Sequence, residues 1–322
     1  MFKEHIPAFY WPASIILIDD EADFLETAKS LFFRNRPRVF SDPNAGIRFL
    51  NEHQLNVSMA KELDYNEEDN AKDYLTFLTV RSLHKKIYKA ERFDEACLLI
   101  IDFDMPQGDG LSFIDQLTNE RLKKILLTGV ANNDQALDAF NKGTIDRYVK
   151  KMNNDYDIQL KQYAQELQAN YFCDASRFLL EDLPELLQVL KDPALIKFFN
   201  EFIKTHRIKE FYLLEESGSF LMIAYDESMS ILCLQSKSDQ KDIIGDLRLR
   251  DDLKESDIEP IIQGQKLTTY LFTNSEKSNG NMKNYFFDCN TIEGTEINYA
   301  HIPDVDVLNL DRNRIALGEA RS

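Results

Sequence analysis

The first half of the chain alternates short apolar runs with segments in which apolar residues recur every three or four positions. Such runs predict buried parallel strands, and the segments between them predict amphipathic helices. Five strands are predicted, at 15–18, 39–40, 97–101, 124–127 and 147–149. Because strand and helix alternate, the pattern predicts an α/β fold with a doubly wound parallel sheet.

The second half has a different pattern, in which helices come first and strands cluster afterwards. Two helical segments are followed by strand patterns and by one long charged helical stretch at 238–263. The predicted strands are 211–214, 220–225, 230–234, 268–272, 285–289 and 296–301. This order predicts an α+β domain with a mainly antiparallel sheet. We expect a first domain at 1–172 and a second at 173–322.

Two segments fit neither pattern. The lead at 1–14 carries Phe9, Tyr10 and the single tryptophan, Trp11. We expect it to pack these aromatic rings onto a domain, with a contact surface for a partner as the alternative. Residues 53–95 are longer than one crossover requires and predict a helical insertion. A solvated helix extension and a partner or dimer surface both remain open for that insertion.

Composition excludes several classes of protein. The length of 322 residues favours two domains, and the net charge of −17 argues against general affinity for nucleic acid. The acidity is spread over the chain, since residues 161–322 carry 18 basic and 28 acidic side chains. We find neither a secretory pattern at the start nor an apolar stretch of the ~20 residues that span a bilayer. Four scattered cysteines without a CxxC pair indicate reduced thiols and a cytoplasmic protein.

Polar residues follow four of the predicted strands, and they would meet at one edge of the sheet. Asp19 and Asp20 follow the first strand, Asp102 the third, Thr128 the fourth and Lys151 the fifth. Three carboxylates in one cleft repel one another unless a cation neutralises them, and Mg²⁺ with oxygen ligands suits such a site. Asp102 is then a candidate nucleophile for phosphoryl transfer, and the Lys151 ammonium is a candidate phosphate contact.

These motifs resemble the receiver domain of bacterial two-component response regulators, which has the CheY-like, flavodoxin-like fold. The resemblance covers residues 13–172 and rests on the acidic pair, on Asp102 to Pro106, on Thr128-Gly129 and on the aromatic residue before lysine. It implies that Asp102 is the phosphoacceptor, and that Asp20 binds Mg²⁺ directly and Asp19 mainly through water. It also implies three further roles: metal ligation by the backbone carbonyl of Asp104, phosphate contact by Lys151, and a switch formed by Thr128 and Tyr148. The implied partner is a sensor histidine kinase or phosphotransfer protein, and a homodimer is a further expectation.

The sequence departs from the receiver pattern in two places. Met152 stands where the family usually has proline, so Lys150 remains an alternative phosphate contact. The insertion at 53–95 also lengthens the gap between Asp20 and Asp102. A receiver that keeps the fold without being phosphorylated is the alternative, but all five functional residue types are present and favour an active one.

The output of the second half is left open by its sequence. It lacks a basic helix-turn-helix and the GGDEF, EAL and HD-GYP strings, and His206 and His301 are isolated in the sequence. The hairpin at 215–220 resembles an element of orphan response regulators, some of them linked to quorum sensing. We consider two hypotheses: a non-enzymatic interaction module, PAS-like in layout, and a receiver-gated enzyme or nucleotide-binding protein. No enzymatic activity is predicted beyond phosphorylation and dephosphorylation of the receiver itself.

Overall fold

We describe a computed structural model of the chain. The structure describes residues 1–35, 37–53, 87–129, 132–181, 183–273 and 282–303. Most of the predicted insertion, at 54–86, lies outside the described residues. No described helix is both long enough and apolar enough to cross a membrane.

The first half forms the predicted parallel sheet. The described strands of this half, not all of which belong to the parallel sheet, are β1 (Phe9–Tyr10), β2 (Ser14–Ile18), β3 (Arg38–Phe40), β4 (Ala96–Asp102), β5 (Asp104–Met105), β6 (Gly108–Asp109), β7 (Lys123–Thr128) and β8 (Arg147–Lys150). Among the described residues, five strands join in the order β3-β2-β4-β7-β8, and every pairing is parallel. This is the flavodoxin-like order, so the predicted fold class is confirmed.

Helices cover both faces of this sheet. They are α1 (Ala22–Leu31), α2 (Pro43–Glu52), α3 (Gly110–Ile114), α4 (Asn133–Asn141) and α5 (Tyr156–Glu181). Alternate residues of β2 therefore belong to two different cores, with Ile15 and Leu17 in one and Ile16 and Ile18 in the other. Burial on both faces explains why the strands read as continuous apolar runs.

Helix ends follow local hydrogen bonding. Asp42 accepts a hydrogen bond from the backbone N–H of Asn44 at 3.1 Å, so α2 begins where the Asp-Pro pair predicts. In contrast, α3 ends at Ile114, although apolar spacing predicts a helix to Leu122. Asn51 bonds the backbone N–H of Thr118 at 3.0 Å and the carbonyl of Gln116 at 3.1 Å, and these bonds hold that stretch as a turn.

The second half contains the predicted antiparallel sheet. Its strands are β9 (Ile208–Leu213), β10 (Phe220–Ala224), β11 (Met229–Gln235), β12 (Lys266–Leu267), β13 (Phe287–Asp288), β14 (Asn290–Thr291) and β15 (Asn298–Ile302). Its helices are α6 (Pro184–Leu190), α7 (Pro193–Thr205), α8 (Lys237–Arg248), α9 (Glu255–Ile262) and α10 (Tyr270–Thr273). Six described strands join in the order β1-β9-β10-β11-β15-β14, which confirms an antiparallel sheet in this half.

One sequence prediction for this half is wrong, and another is refined. The strand predicted at 268–272 is mostly helix α10, because the Glu215 carboxylate accepts the backbone N–H of Leu271 at 2.6 Å and supports a helical turn. The charged stretch predicted at 238–263 is helical, and it is divided into two helices, α8 and α9. Asp257 accepts the backbone N–H of Lys254 at 3.0 Å, which starts a second helix at that point.

The N-terminal lead joins the two halves. β1 pairs antiparallel with β9, with Phe9 opposite Tyr212. Trp11 is 1% exposed and stacks against Phe9 and against Tyr212, with ring centroids 5.2 and 6.0 Å away. The lead therefore packs its aromatic rings inward, onto the sheet of the second half. Helix α5 also runs without a break from the parallel sheet to Glu181.

Candidate functional site

Two strand ends create the acidic site. Asp102 is the last residue of β4, and Asp19 directly follows β2, whose Ile18 pairs with Ile101 of β4. The Asp19 backbone N–H donates to the carbonyl of Phe40 at 3.2 Å, and its carboxylate accepts the backbone N–H of Glu21 at 3.0 Å. The parallel register and these bonds together place the two carboxylates side by side.

Asp20 completes a cluster of three carboxylates. Ligand oxygens of Asp19, Asp20 and Asp102 lie within 4.8 Å of one another. Asp19 and Asp102 are buried, at 0% and 6% exposure, whereas Asp20 is exposed. Hard oxygen donors with one side open to water match the preference of Mg²⁺, which keeps several waters when it binds. The donor set therefore fits a divalent cation.

Lys151 reaches this cluster. Its Nζ lies 2.7 Å from Asp19 Oδ2 and 2.9 Å from Asp102 Oδ1, although Met152 follows it in place of proline. The Lys151 backbone N–H donates to the carbonyl of Thr128 at 3.1 Å, which fixes the start of the loop after β8. Lys150 instead lines a groove with Phe140 and is not among the described contacts of the carboxylates. The structure thus brings Lys151, of the two lysines, to the acidic site.

Burial and charge shift the titration of all three groups. Burial raises the pKa of the Asp19 and Asp102 carboxyls above their ordinary values, and the neighbouring Lys151 ammonium reduces this rise. Burial alone would lower the pKa of Lys151, but hydrogen bonds and charge from Asp19 and Asp102 outweigh it and raise that pKa. The ammonium is therefore held in its charged form beside carboxylates that are costly to ionise.

Thr128 and Tyr148 lie on the two strands beyond β4. Thr128 ends β7, is fully buried, and donates its hydroxyl to the carbonyl of Gly129 at 3.0 Å. Tyr148 on β8 is half-buried and packs edge-on against Phe140, with ring centroids 6.3 Å apart. It lines an open groove of about 460 Å³ between α4 and α5. Thr128 thus lies at the edge of the sheet where the carboxylates meet, and Tyr148 lies at a surface groove.

Three residues that we did not predict also contact the site. The side-chain amide of Asn132, just before α4, donates to the exposed carboxylate of Asp104. The Phe24 ring centroid lies 4.7 Å from Lys151 Nζ. A Cβ at Gly110 would lie 2.3 Å from the Asp102 carbonyl oxygen, so the start of α3 requires glycine there. The one sequence signal for these residues is that each lies shortly after a predicted strand.

The second half contains clusters that sequence spacing does not reveal. His206 and His301 are 95 positions apart in sequence, but their rings lie edge to face with centroids 4.5 Å apart. Glu215 accepts hydrogen bonds from the Ser219 hydroxyl and the Leu271 backbone N–H. Burial raises the pKa of this carboxyl, and these bonds oppose the rise. Neither cluster contains an acidic triad or a three-ligand metal group among the described residues.

Comparison with known proteins gives a likeness over nearly the full length of the chain. No family model matches the chain, and neither does any curated protein. The response regulator LqsR of Legionella pneumophila is 25% identical, with a TM-score of 0.76, over 97% of this chain and 94% of that one. A response regulator receiver domain from Clostridium thermocellum is 19% identical, with a TM-score of 0.32, over 52% of this chain and 98% of that one.

A CheY-like receiver domain from Methanospirillum hungatei is 16% identical, with a TM-score of 0.32, over 49% of this chain and 95% of that one. The assignment depends on the likeness to LqsR, because that match covers both sheets. The parallel sheet in flavodoxin-like order and the acidic cluster at its edge agree with it. The chain therefore has the fold of a response regulator with a receiver domain, and it resembles LqsR over nearly its whole length.

Proposed function

We propose that the chain is a phosphorelay response regulator that accepts a phosphoryl group on Asp102 in a Mg²⁺-dependent reaction. The observation that carries this proposal is the contact of Lys151 Nζ with both Asp19 and Asp102 inside a three-carboxylate cluster. Such a cluster offers a nucleophile, a cation site and a fixed positive charge within one cleft.

The chemistry is a single displacement at phosphorus. An Asp102 carboxylate oxygen attacks the phosphorus of a phosphohistidine, the P–O bond forms as the P–N bond breaks, and the histidine nitrogen leaves with the bonding electron pair. The Lys151 ammonium contacts a phosphoryl oxygen as negative charge accumulates there. Mg²⁺, held by Asp20, Asp102 and the Asp104 carbonyl, with Asp19 acting through water, would supply further positive charge to those oxygens. Hydrolysis of the acyl phosphate returns Asp102 to its carboxylate.

A phosphorylated Asp102 would then be read by Thr128 and Tyr148. The Thr128 hydroxyl exchanges its bond with the Gly129 carbonyl for one with a phosphoryl oxygen, and Tyr148 moves relative to the groove beside Phe140. This is a two-state surface biased by one covalent charge. Exposed apolar residues on α4, in the loop after β8 and on α5 favour a homodimer or an altered partner contact as the output; they are Leu137, Phe140, Met152 and Ile158.

The remaining assignments follow from this proposal. The phosphodonor is a sensor histidine kinase or a phosphotransfer protein, and the place of action is the cytoplasm, where four free cysteines stay reduced. Nucleic acid is an unsuitable partner for a chain of net charge −17. We keep residues 1–172 as the receiver and 173–322 as the output domain, and we assign the latter to partner contacts, with quorum sensing as the candidate pathway class.

One observation favours the alternative of a receiver-gated enzyme or nucleotide-binding output. Thr268 Oγ1 and Gln235 Oε1 are buried without a hydrogen-bond partner among the described residues, close to the Glu215 cluster. Buried polar atoms require partners, so a polar ligand that entered this region would find them. Thermal-shift measurements of the full chain with a set of nucleotides test this alternative; stabilisation that Gln235→Leu abolishes would support it.

Labelling with acetyl phosphate tests the main proposal. Wild type should acquire an alkali-labile phosphoryl group in Mg²⁺ and lose it in EDTA, and Asp102→Asn should acquire none. Asp115→Asn, at an exposed carboxylate just after α3, is the matched control and should label like wild type. Equal labelling of Asp102→Asn and wild type would refute the assignment of the nucleophile.

A further inference from the structure

We infer that Phe24 is a positioning residue that holds the Lys151 ammonium at the phosphoacceptor, a role that rests on the proposed function. Its ring centroid lies 4.7 Å from Lys151 Nζ, within the range of a cation–π contact. The same nitrogen lies 2.7 Å from Asp19 and 2.9 Å from Asp102. The ammonium is therefore held by two carboxylates and one aromatic face.

The place of Phe24 in the fold makes this contact specific. Phe24 is in the first turn of α1, directly after the acidic pair, and is half-buried. Its ring also packs against Tyr156, the first residue of α5, with centroids 6.2 Å apart. The ring thus lies between the loop that carries the acidic pair and the loop that carries Lys151.

The loop that carries Lys151 lacks the proline that would restrict its backbone. After β8 the chain turns through Met152, with the Asn153 backbone N–H bonded to the Lys150 carbonyl at 3.2 Å and that of Tyr156 to the Asn153 carbonyl at 3.2 Å. Met152 itself is 77% exposed and contributes little packing. The position of the Lys151 ammonium is therefore set by the contacts of its own side chain and by the packing of Phe24 against Tyr156. No proline after the lysine restricts the backbone here.

Charge explains why an aromatic ring suits this position. Mg²⁺ and the phosphoryl group both alter the charge of the carboxylates that now hold Lys151. An aromatic face attracts a cation without being a metal ligand or a base, so the contact with Phe24 persists when the carboxylates are engaged elsewhere. The ring thereby keeps Nζ next to Asp102 through the reaction.

A leucine substitution separates positioning from packing. Phe24→Leu keeps an apolar side chain in the half-buried position but removes the aromatic face, whereas Phe24→Tyr keeps both. Phe33→Leu is the control, because Phe33 follows the same helix and is 70% exposed. All variants are made in the full chain, and their unfolding midpoints are recorded.

Two readouts are measured. The first is the pKa of Lys151 from side-chain NMR of labelled lysine, assigned with Lys151→Met; we expect it to fall in Phe24→Leu and to stay near wild type in Phe24→Tyr and Phe33→Leu. The second is the rate constant of labelling by acetyl phosphate at saturating Mg²⁺, which should fall about two- to tenfold in Phe24→Leu alone.

The outcomes distinguish this inference from the proposed function. An unchanged Lys151 pKa in Phe24→Leu, or an equal loss of rate in Phe24→Tyr, would overturn the positioning role. If wild type is never labelled, the proposed function fails, while the NMR titration still decides whether Phe24 holds the ammonium. A lower unfolding midpoint with unchanged pKa and rate would show a packing role and would also overturn the inference.

Discussion

Arg92 and Glu210 form a fully buried ion pair that joins the two halves of the molecule. Arg92 Nε and Nη2 donate to Glu210 Oε2 at 3.0 and 2.9 Å, and their side chains are 1% and 0% exposed. The Tyr212 hydroxyl donates to the same oxygen at 2.8 Å. Arg92 lies just before β4, which ends in Asp102, and Glu210 lies on β9. One buried contact therefore links the segment before β4 to the antiparallel sheet.

Breaking this pair from one side should destabilise the whole chain. Arg92→Met leaves the Glu210 carboxylate buried without its main counter-charge, which we expect to lower the free energy of unfolding by about 3–5 kcal/mol. Urea titration followed by circular dichroism measures this change. Arg248→Ala is the control, since the Arg248–Glu255 pair is 52% and 58% exposed and its loss should change stability little. Similar losses in both variants would contradict the prediction. The double variant Arg92→Met/Glu210→Leu should be more stable than Arg92→Met, because it no longer buries an unpaired carboxylate.

Metal-free stability should depend on the pH through Asp102. Burial raises the pKa of this carboxyl above its ordinary value of 3.8, so the folded state binds the proton more tightly than the unfolded state. The free energy of unfolding of wild type relative to Asp102→Asn should therefore fall as the pH rises from about 4 to 7. At pH 7 in EDTA we expect the variant to be about 1 kcal/mol more stable.

Urea titrations across this pH range in EDTA measure the difference between the two proteins. Added Mg²⁺ should stabilise wild type more than the variant, because a ligand that binds only the folded state stabilises it. A constant difference from pH 4 to 7 would show that the Asp102 carboxyl has no raised pKa.

Lys151 should compete with Mg²⁺ for the carboxylates. Its Nζ lies within 2.9 Å of both Asp19 and Asp102, and unit charges at ~4 Å interact by several kcal/mol near a protein surface. Lys151→Met should therefore bind Mg²⁺ about tenfold more tightly while being labelled more slowly by acetyl phosphate. Calorimetric titration with Mg²⁺ measures the affinity, and Lys150→Met should match wild type in both. A loss of labelling in Lys150→Met instead would identify Lys150 as the phosphate contact.

Thr128 should be needed for the response and not for the chemistry. Its buried hydroxyl bonds the Gly129 carbonyl and does not contact the carboxylates among the described contacts. We expect Thr128→Ala to accept phosphate but to lose the phosphorylation-dependent change in association state, measured by light scattering with and without phosphodonor. Thr128→Ser keeps the hydroxyl and should respond. An unchanged response in Thr128→Ala would remove Thr128 from the switch.

The close approach of the candidate site residues could be predicted because they stand at strand ends. Asp19 and Asp102 follow apolar runs, and parallel pairing brings such ends together whatever the intervening chain does. Phe24 and Asn132 could not be found this way, since only tertiary packing decides that they face Lys151 and Asp104.

Long-range pairing also limited the prediction of the fold. The pairing of Phe9 with Tyr212 joins residues 203 positions apart, and no local pattern encodes it. At 268–272 the apolar pattern predicted a strand, but a hydrogen bond from Leu271 to the distant Glu215 carboxylate favours a helical turn. In both cases the deciding partner lies in a remote part of the sequence.

Gly110 should be the glycine of the receiver that is least tolerant of substitution. A Cβ there would lie 2.3 Å from the Asp102 carbonyl oxygen, and backbone cannot yield as a flexible side chain does. Gly110→Ala should therefore shift the end of β4, lower the unfolding midpoint and slow labelling at Asp102, the last through a misplacement of about 1 Å that costs up to a hundredfold.

Gly245→Ala is the matched control, because its Cβ would meet nothing within 4 Å and it lies inside α8. We expect the control to gain about 0.5–1 kcal/mol from helix propensity and to label like wild type. Equal stability and labelling in the two variants would show that the close approach of α3 to Asp102 has no part in positioning that carboxylate.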